Sequence, residues 1–250
     1  MRHISLLPLT AMMLLTVSVS LAQPPPQQSA PYLDGDVWVW QNIEYGNVDG
    51  VALLLDAYLP ADNETHPALV SIHGGGWRNG SKDGFHREGV QFAADGIAAF
   101  SIGYRLSGVA PYPAAVDDCW AAVQWIYEHA ADLNVDASRM AVQGGSAGGH
   151  LALMMAFMEP EVEGLDNYFV CVAAKNPPTD FTADDEMRNE RALLAFMDAT
   201  REENPERYAE ASPVTHLSPD DPPVFFIHGT DDHTVPYSQA LVLNAALEKA

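Results

Sequence analysis

A serine set between glycines, in the stretch Gly144-Gly145-Ser146-Ala147-Gly148, has the spacing of a catalytic nucleophile. The apolar run before it predicts a strand, and the run after it predicts a helix. A strand that turns into a helix within one or two residues projects the side chain at the turn, and glycines let the two elements pack closely. We therefore predict that Ser146 Oγ is exposed at the end of a strand, although the pattern alone also fits a turn without chemistry.

A second glycine-rich stretch, His73-Gly74-Gly75-Gly76-Trp77, follows another short apolar run. Backbone N–H groups that face a developing oxyanion stabilise it by about 3 kcal/mol each. We assign Gly75, Gly76 and the amide of Ala147 to such an oxyanion hole. A phosphate-binding loop is disfavoured, because no Lys-Ser or Lys-Thr pair follows in the required spacing. Trp77 is predicted either to contact substrate or to lie in the core.

Short apolar runs alternate with amphipathic runs along most of the chain. Strands are predicted at residues 36–46, 50–60, 68–76, 97–105, 139–146, 168–175 and 222–229, and helices at residues 82–96, 114–131, 147–158 and 237–250. This alternation predicts a mostly parallel sheet with helices on both faces and an antiparallel hairpin at one edge. The charged stretch 182–212 predicts two short helices and an insertion over a binding cleft.

The N-terminal residues 1–22 combine Arg2, an apolar stretch and a small-residue cleavage pattern, which indicates a signal peptide. A membrane anchor is disfavoured because the apolar stretch is short and a Pro-rich tether, residues 23–35, follows it. One α/β domain is predicted over residues 36–250, in a secreted or periplasmic protein.

The sequence is strongly acidic, with 34 Asp and Glu against 12 Lys and Arg and a net charge of −22. Such a surface repels phosphate backbones and anionic lipids, so nucleic acids and membranes are disfavoured as partners. No Cys and His spacing resembles a metal site, and we predict neither a metal nor another cofactor. The sequence favours no particular oligomeric state.

Six motifs occur in this order: "LDAYLP", "SIHGGGWRNGSK", "IGYRLSG", "YPAAVDDCWAAVQWI", "GGSAGGHLA" and "PPVFFIHGTDDHTVP". The resemblance that they carry runs from about Trp38 to the last residue. With these motifs the chain resembles the α/β-hydrolase esterases related to hormone-sensitive lipase, and most closely their acetyl-xylan and feruloyl esterase-like (BD-FAE-type) branch. The resemblance implies an α/β-hydrolase fold and a serine esterase, with Ser146 as nucleophile. Members act on acetyl or feruloyl esters of plant polysaccharides or on small esters. It also implies Asp232 as the acid of the triad, with Asp231 as the fallback.

The histidine base is the one element without a candidate in the expected place. The family places it about thirty residues beyond the acid, whereas 18 residues follow Asp232 here and His233 is the one histidine among them. His73 is expected to hold the glycine loop, His150 to point into the core, and His228 to be structural. We hypothesise that the sequence is part of a longer chain whose continuation supplies the histidine and the missing C-terminal strand and helix. A stop codon directly after Ala250 would remove this explanation.

The leading interpretation is an exported serine esterase that acts through an acyl-enzyme on small-molecule or polysaccharide esters. A serine peptidase of the prolyl-oligopeptidase type has the same chemistry, but the sequence has no large N-terminal propeller or cap. A non-catalytic binding protein with the hydrolase fold is the third alternative, and the missing base is its only support.

Overall fold

The computed structural model describes residues 30–158, 169–182 and 190–250, which form one mixed β-sheet with helices around it. Its strands are β1 (Tyr32–Asp34), β2 (Val37–Val48), β3 (Val51–Pro60), β4 (His66–Ile72), β5 (Ala98–Ile102), β6 (Val135–Gly145), β7 (Phe169–Lys175) and β8 (Val224–Ile227). Their order across the sheet is β1-β2-β3-β5-β4-β6-β7-β8. The first three pairs are antiparallel, and all pairs from β5 to β8 are parallel. The predicted mostly parallel sheet with an antiparallel edge is confirmed.

Five of the described helices lie in connections between strands, and a sixth follows β8. They are α1 (His86–Ala94), which follows a 3₁₀ turn at Lys82–Phe85, α2 (Ala114–Glu128), α3 (Ala147–Phe157), α4 (Glu190–Met197), α5 (Pro205–Glu210) and α6 (Ser238–Leu247). Every residue of β5 is buried, so both faces of the sheet are covered at its centre. The two short helices predicted within 182–212 are α4 and α5. No helix in the described ranges is long and apolar enough to cross a membrane.

The N-terminal boundary of the domain differs from the prediction. Tyr32 pairs with Val39, and the three residues of β1 extend the sheet into the segment expected to be a tether. The predicted tether therefore ends earlier, because its last residues find backbone partners on β2. The predicted signal peptide, residues 1–22, and the tether before residue 30 lie outside the described residues. At the opposite edge, β8 exposes Phe225 (68%) and Ile227 (57%).

Helix α3 is apolar on all sides, and nearly every one of its residues is buried. A helix with this composition needs apolar partners around its whole circumference. It packs against β6, β7, β4 and α2, with Leu151 and Leu153 wholly inaccessible. The start of α3 is thereby fixed relative to the C-terminal ends of the central strands.

A buried ion pair joins the end of β5 to α2. Arg105 Nη2 lies 2.7 Å from Asp118 Oδ1, and Arg105 Nε donates to both carboxylate oxygens at 3.0 and 2.9 Å. The backbone N–H of Arg105 also donates to Asp118 Oδ2 at 2.8 Å. Asp118 is 1% exposed, so the guanidinium and the amide replace the water that the carboxylate loses on folding.

We expect Asp118→Ala to lower the free energy of unfolding by about 3 kcal/mol, because it leaves the Arg105 guanidinium without its counter-ion. Urea denaturation followed by circular dichroism measures the change. Asp136→Ala is the matched control, since it removes a surface pair with Arg139, which is half exposed. That variant is expected to lose less than about 1 kcal/mol. Equal losses in the two variants would contradict the structural role of the buried pair.

Candidate active site

Ser146 occupies the turn between β6 and α3 in a strained conformation, with φ 54° and ψ −122°. A positive φ is uncommon for a residue with a side chain and persists where the surroundings enforce it. The glycines around it are required by close contacts. A Cβ on Gly144 would lie 2.2 Å from Gly148 O, and one on Gly148 would lie 2.1 Å from Ile72 O. The sharp turn predicted for this motif is present.

The glycine loop lies directly beside the serine. A Cβ on Gly74 would lie 2.6 Å from Gly145 O and 3.5 Å from Ser146 Cβ. Gly75, Gly76 and Trp77 follow with φ values of 117°, 61° and 56°, and this run of left-handed residues reverses the chain. The structure therefore brings the loop and the predicted nucleophile together, as the sequence predicted.

The predicted oxyanion donors have no hydrogen-bond partner among the described residues. In the part of the chain that the structure describes, no group accepts a hydrogen bond from the backbone N–H of Gly75, Gly76 or Ala147. Ala147 opens α3, and the first N–H groups of a helix carry its positive end. Ser146 Oγ also makes no hydrogen bond to any described residue. The arrangement leaves one hydroxyl and three N–H donors available at the end of β6 and β4.

His73 holds the loop from below. Its Nδ1 donates to Gly74 O at 2.8 Å, and its ring stacks on Tyr104 with centroids 4.3 Å apart. The Tyr104 hydroxyl donates to His73 O at 3.0 Å. Burial lowers the pKa of His73, although the bond to Gly74 opposes this shift. The predicted role of His73 in fixing the glycine loop is confirmed.

Asp232 lies in the loop after β8, at the same edge of the sheet as Ser146. Its Oδ1 accepts from the backbone N–H of Thr234 at 2.8 Å and of Val235 at 3.0 Å, and Asn176 Nδ2 donates to its Oδ2. Partial burial raises the pKa of Asp232, but the hydrogen bonds from Val235, Thr234 and Asn176 outweigh this and hold it below its usual value. The carboxylate is therefore ionised and fixed in position. Asp231 is 93% exposed at its side chain and is the poorer candidate for the acid.

Two successive residues at the end of β7 connect the serine turn to the acid loop. Lys175 O accepts from the backbone N–H of Ser146 at 2.8 Å. Asn176 donates its own N–H to Ile227 O at 2.8 Å and its side-chain amide to Asp232. Asn176 has φ 50°, a conformation that asparagine tolerates better than most residues. Asn176 was not predicted from the sequence, although an asparagine before Pro177-Pro178 at a strand end is a signal for such a turn.

Trp77 is buried rather than exposed to substrate. Its indole is 3% exposed and stacks on Phe196 at 4.6 Å. Its Nε1 donates to His150 Nδ1 at 3.2 Å, and His150 Nε2 lies 2.8 Å from Ala211 O. This burial leaves little indole surface for a substrate and favours the core position among the two roles predicted for Trp77. His150, fully buried, points into the core as expected.

The partners of His150 fix its protonation state. Nδ1 accepts from an N–H and Nε2 donates to a carbonyl, so the ring is neutral with its proton on Nε2. Burial lowers its pKa from 6.5 to about 4, partly opposed by the bond to Ala211. A protonated ring would set an N–H of His150 against the N–H of Trp77.

We expect stability to fall as the pH is lowered from 7 to 5, since the unfolded state binds the proton near pH 6.5 and the folded state does not. His150 accounts for about 2 kcal/mol of that loss. Urea denaturation at both pH values, on the original chain and on His150→Gln, measures the difference. The variant is expected to lose less on acidification. His233→Gln, at a side chain that is 64% exposed, is expected to behave like the original chain, and equal losses in all three would contradict this role for His150.

Eight histidines lie in the described ranges, and six of them place a ring nitrogen on a backbone carbonyl: His66, His73, His129, His150, His216 and His228. His86 packs edge-on against Tyr58, and His233 is exposed beside Asp231. His228 Nε2 comes within 4.0 Å of Asp232 Oδ2 but bonds to Val235 O at 2.9 Å. None of the eight hydrogen-bonds Ser146 Oγ or the Asp232 carboxylate. That a histidine beyond the sequence supplies the base stays a prediction.

No group of three or more His, Cys, Asp or Glu side chains within the described ranges is arranged to hold a metal ion.

Known proteins resemble this chain in sequence and in fold. The chain is 32% identical over 221 residues to the probable carboxylic ester hydrolase LipM of Mycobacterium tuberculosis, a match that covers 83% of this chain and 50% of LipM. A match to the carboxylesterase NlhH of the same species is 43% identical over 107 residues and covers 42% of this chain and 33% of NlhH. The chain thus spans half or less of the length of these curated relatives.

Among solved structures, esterase 2 of Thermogutta terrifontis, phosphonylated by sarin, superposes with a TM-score of 0.72 and 29% identity, covering 82% of this chain and 78% of that one. A bifunctional GH43-CE protein of Bacteroides eggerthii gives a TM-score of 0.72 and 28% identity, over 84% of this chain and 33% of that one. These likenesses confirm the predicted α/β-hydrolase fold. The BD-FAE family model matches residues 55–247, which include the glycine loop, Ser146 and Asp232, and the chain belongs to the BD-FAE family.

Proposed function

We propose that this chain carries the catalytic core of a carboxylic ester hydrolase that acts through an acyl-enzyme on Ser146. The observation that carries the proposal is the contact between the strained serine turn and the glycine loop, where Gly74 has room for no side chain beside Ser146. A hydroxyl held at the positive end of a helix, beside N–H groups without partners, suits attack on a carbonyl carbon.

In the proposed reaction Ser146 Oγ forms a bond to the ester carbonyl carbon while a histidine base takes the hydroxyl proton. The carbonyl oxygen becomes an oxyanion that accepts from the N–H groups of Gly75, Gly76 and Ala147. The base then protonates the leaving oxygen as the carbon–oxygen bond breaks and the alcohol departs. Water then attacks the acyl-enzyme by the same steps, which releases the carboxylic acid product and restores the Ser146 hydroxyl. Asp232, ionised and held by three hydrogen bonds, would orient the histidine.

We further propose that the protein is exported and that its substrates include acetyl or feruloyl esters of plant polysaccharides. Residues 1–22 have the charge and apolar pattern of a signal peptide, which supports export. The BD-FAE membership and the likeness to the bifunctional GH43-CE protein of Bacteroides eggerthii support the substrate class. The net charge of −22 favours neutral substrates over anionic ones.

A non-catalytic binding protein is the second candidate, and one observation favours it: no described histidine hydrogen-bonds the Ser146 hydroxyl or the Asp232 carboxylate. The peptidase alternative gains no such support, because LipM and the Thermogutta terrifontis protein are named for ester hydrolysis.

Turnover and covalent labelling separate these candidates. The protein, produced from its coding sequence up to the natural stop codon, is incubated with p-nitrophenyl acetate, with acetylated and feruloylated oligosaccharides and with peptide p-nitroanilides. A fluorophosphonate is used to label the nucleophile. Hydrolysis of the esters together with one phosphonate per chain is the expected result. Cleavage of the anilides without hydrolysis of the esters would contradict the proposal and favour the peptidase alternative. The absence of both turnover and labelling would favour the binding protein.

A further inference from the structure

A cleft of about 380 Å³ adjoins the glycine loop at His73 and Gly80 but is not the candidate active site. Ser146, Gly75, Gly76, Ala147 and Asp232 are absent from its lining, which comes from the β2–β3 hairpin, the segment 80–83 and the segment 103–109. Its volume falls at the lower end of the range for small-molecule sites, about 300–1,000 Å³. The cleft has room for one small ring or a short chain.

One wall of the cleft holds a hydrogen-bond acceptor without a partner. His73 is 6% exposed, and its Nδ1 must carry the proton because it donates to Gly74 O. The other ring nitrogen, Nε2, is then an acceptor in the neutral ring. No residue in the described ranges donates to Nε2. Nε2 is not closed off from solvent, so a ligand or a water that carries an O–H or N–H group can satisfy this acceptor.

The charged groups of the cleft are already paired, which disfavours an ionic ligand. Lys82 Nζ lies 2.8 Å from Asp56 Oδ1 and 2.9 Å from Asp83 Oδ1. Arg105 is engaged by the buried carboxylate of Asp118. A carboxylate or phosphate ligand would have to displace one of these partners and approach a chain with a net charge of −22. A neutral ligand meets neither obstacle.

The rim of the cleft is aliphatic. Val109 is 62% exposed and Val51 is 36% exposed, and Leu106 is a third aliphatic residue of the lining. Such a surface accepts the C–H groups of a ring or chain, while the floor offers hydrogen-bonding groups.

We propose that this cleft is a second ligand site for a small neutral molecule with several hydroxyl groups on a hydrocarbon frame, as in a polyol or a single sugar ring. A hydroxyl donates to His73 Nε2, and the hydrocarbon frame packs on Val51, Leu106 and Val109. The cleft lies next to the glycine loop, because Gly80 in its lining packs closely on that loop. A Cβ on Gly80 would lie 2.6 Å from His73 Nδ1 and 2.4 Å from Gly74 O. Occupancy of the cleft does not require the Ser146 hydroxyl.

The test is a titration of the protein labelled with ¹⁵N-histidine, in which nuclear magnetic resonance monitors the histidine ring resonances. The probes are methyl α-D-glucopyranoside, sodium gluconate and glucosamine, which have similar sizes and charges of zero, minus one and plus one. The expected result is a saturable shift of the His73 ring resonances with the glucopyranoside, at a Kd at least about tenfold lower than for either charged probe. No saturable shift at His73, or equal binding of gluconate, would overturn the proposal.

Two variants locate the binding. Val109→Trp fills the rim and is expected to weaken glucopyranoside binding at least about tenfold. Leu241→Trp, at an equally exposed apolar position on α6, is expected to leave it unchanged. Equal weakening by both variants would place the ligand elsewhere. Binding retained in Ser146→Ala separates this site from the proposed hydrolysis, which that variant removes.

The glucopyranoside could be a free molecule or the alcohol part of an ester substrate, and kinetics distinguish the two. KM is measured for an acylated glucoside and for ethyl butyrate at a saturating concentration of glucopyranoside. A higher KM for the acylated glucoside, with an unchanged KM for ethyl butyrate, assigns the cleft to the alcohol part of the substrate. This arm rests on the proposed esterase activity. Unchanged KM values for both esters, with the His73 shift still present, assign the cleft to a free polyol.

Discussion

Ser146→Ala is expected to abolish ester hydrolysis and covalent labelling, with a loss of about 10⁴-fold or more in the rate. Alanine keeps the small side chain that the turn accepts but has no oxygen to attack a carbonyl or a phosphorus atom. The residue has no hydrogen bond to lose from its side chain within the described ranges, so the fold is expected to survive. Mass spectrometry after incubation with a fluorophosphonate measures labelling, and p-nitrophenyl acetate turnover measures hydrolysis.

Ser138→Ala is the control for this substitution. Ser138 is exposed and hydrogen-bonds Asp136, far along the chain from the glycine loop. Its labelling is expected to equal that of the original chain. Labelling of Ser146→Ala at the same rate as Ser138→Ala would show that another residue reacts, and the nucleophile assignment would be wrong.

Gly148→Ala is expected to lower the free energy of unfolding by at least about 4 kcal/mol, or to prevent folding. Its Cβ would lie 2.1 Å from Ile72 O and 2.7 Å from His73 O. Both atoms belong to the backbone of β4 and its end, so no side-chain rotation relieves the contact. Helix α3 would have to move away from the sheet, and the wholly buried Leu151 and Leu153 would lose their packing. Chemical denaturation measures the loss.

Substitutions at two other glycines are expected to give a graded series of stability losses. A Cβ on Gly149 would meet its nearest neighbours at 3.2 and 3.3 Å, and one on Gly84 would meet nothing within 4 Å. We expect Gly149→Ala to cost an intermediate amount and Gly84→Ala to change stability by less than about 0.5 kcal/mol. The same order is expected for fluorophosphonate labelling, because displacement of α3 carries Ser146 with it. Equal stability of Gly148→Ala and Gly84→Ala would contradict the close packing described for this turn.

Much of the fold could be predicted because its signals are local. The apolar runs of β4 to β8 and the amphipathic run of α2 are short stretches whose composition determines their structure. The serine turn and the glycine loop are equally local, since each is a glycine-rich stretch at the end of a strand. Their meeting in space follows from the parallel sheet, because the C-terminal ends of parallel strands share one edge.

Other features depend on contacts between residues far apart in the chain. Asn176 joins Asp232 across 56 positions, and His150 reaches Ala211 across 61. No local pattern predicts such pairs. Trp77 could be assigned to the pocket or to the core from its neighbours, and its stacking on Phe196 decides in favour of the core. The strand β1 was missed because three residues among prolines lack the length of a recognisable apolar run.

The adjacent residues Lys175 and Asn176 fix the spacing between the serine turn and the acid loop. Each holds one of the two groups through a hydrogen bond, and one peptide bond links them. A shift of β7 along its axis therefore moves the hydroxyl and the carboxylate together and leaves the interval between them unchanged. Thermal motion of the whole sheet is thus common to both groups, whereas a rotation at Asn176 alters their separation.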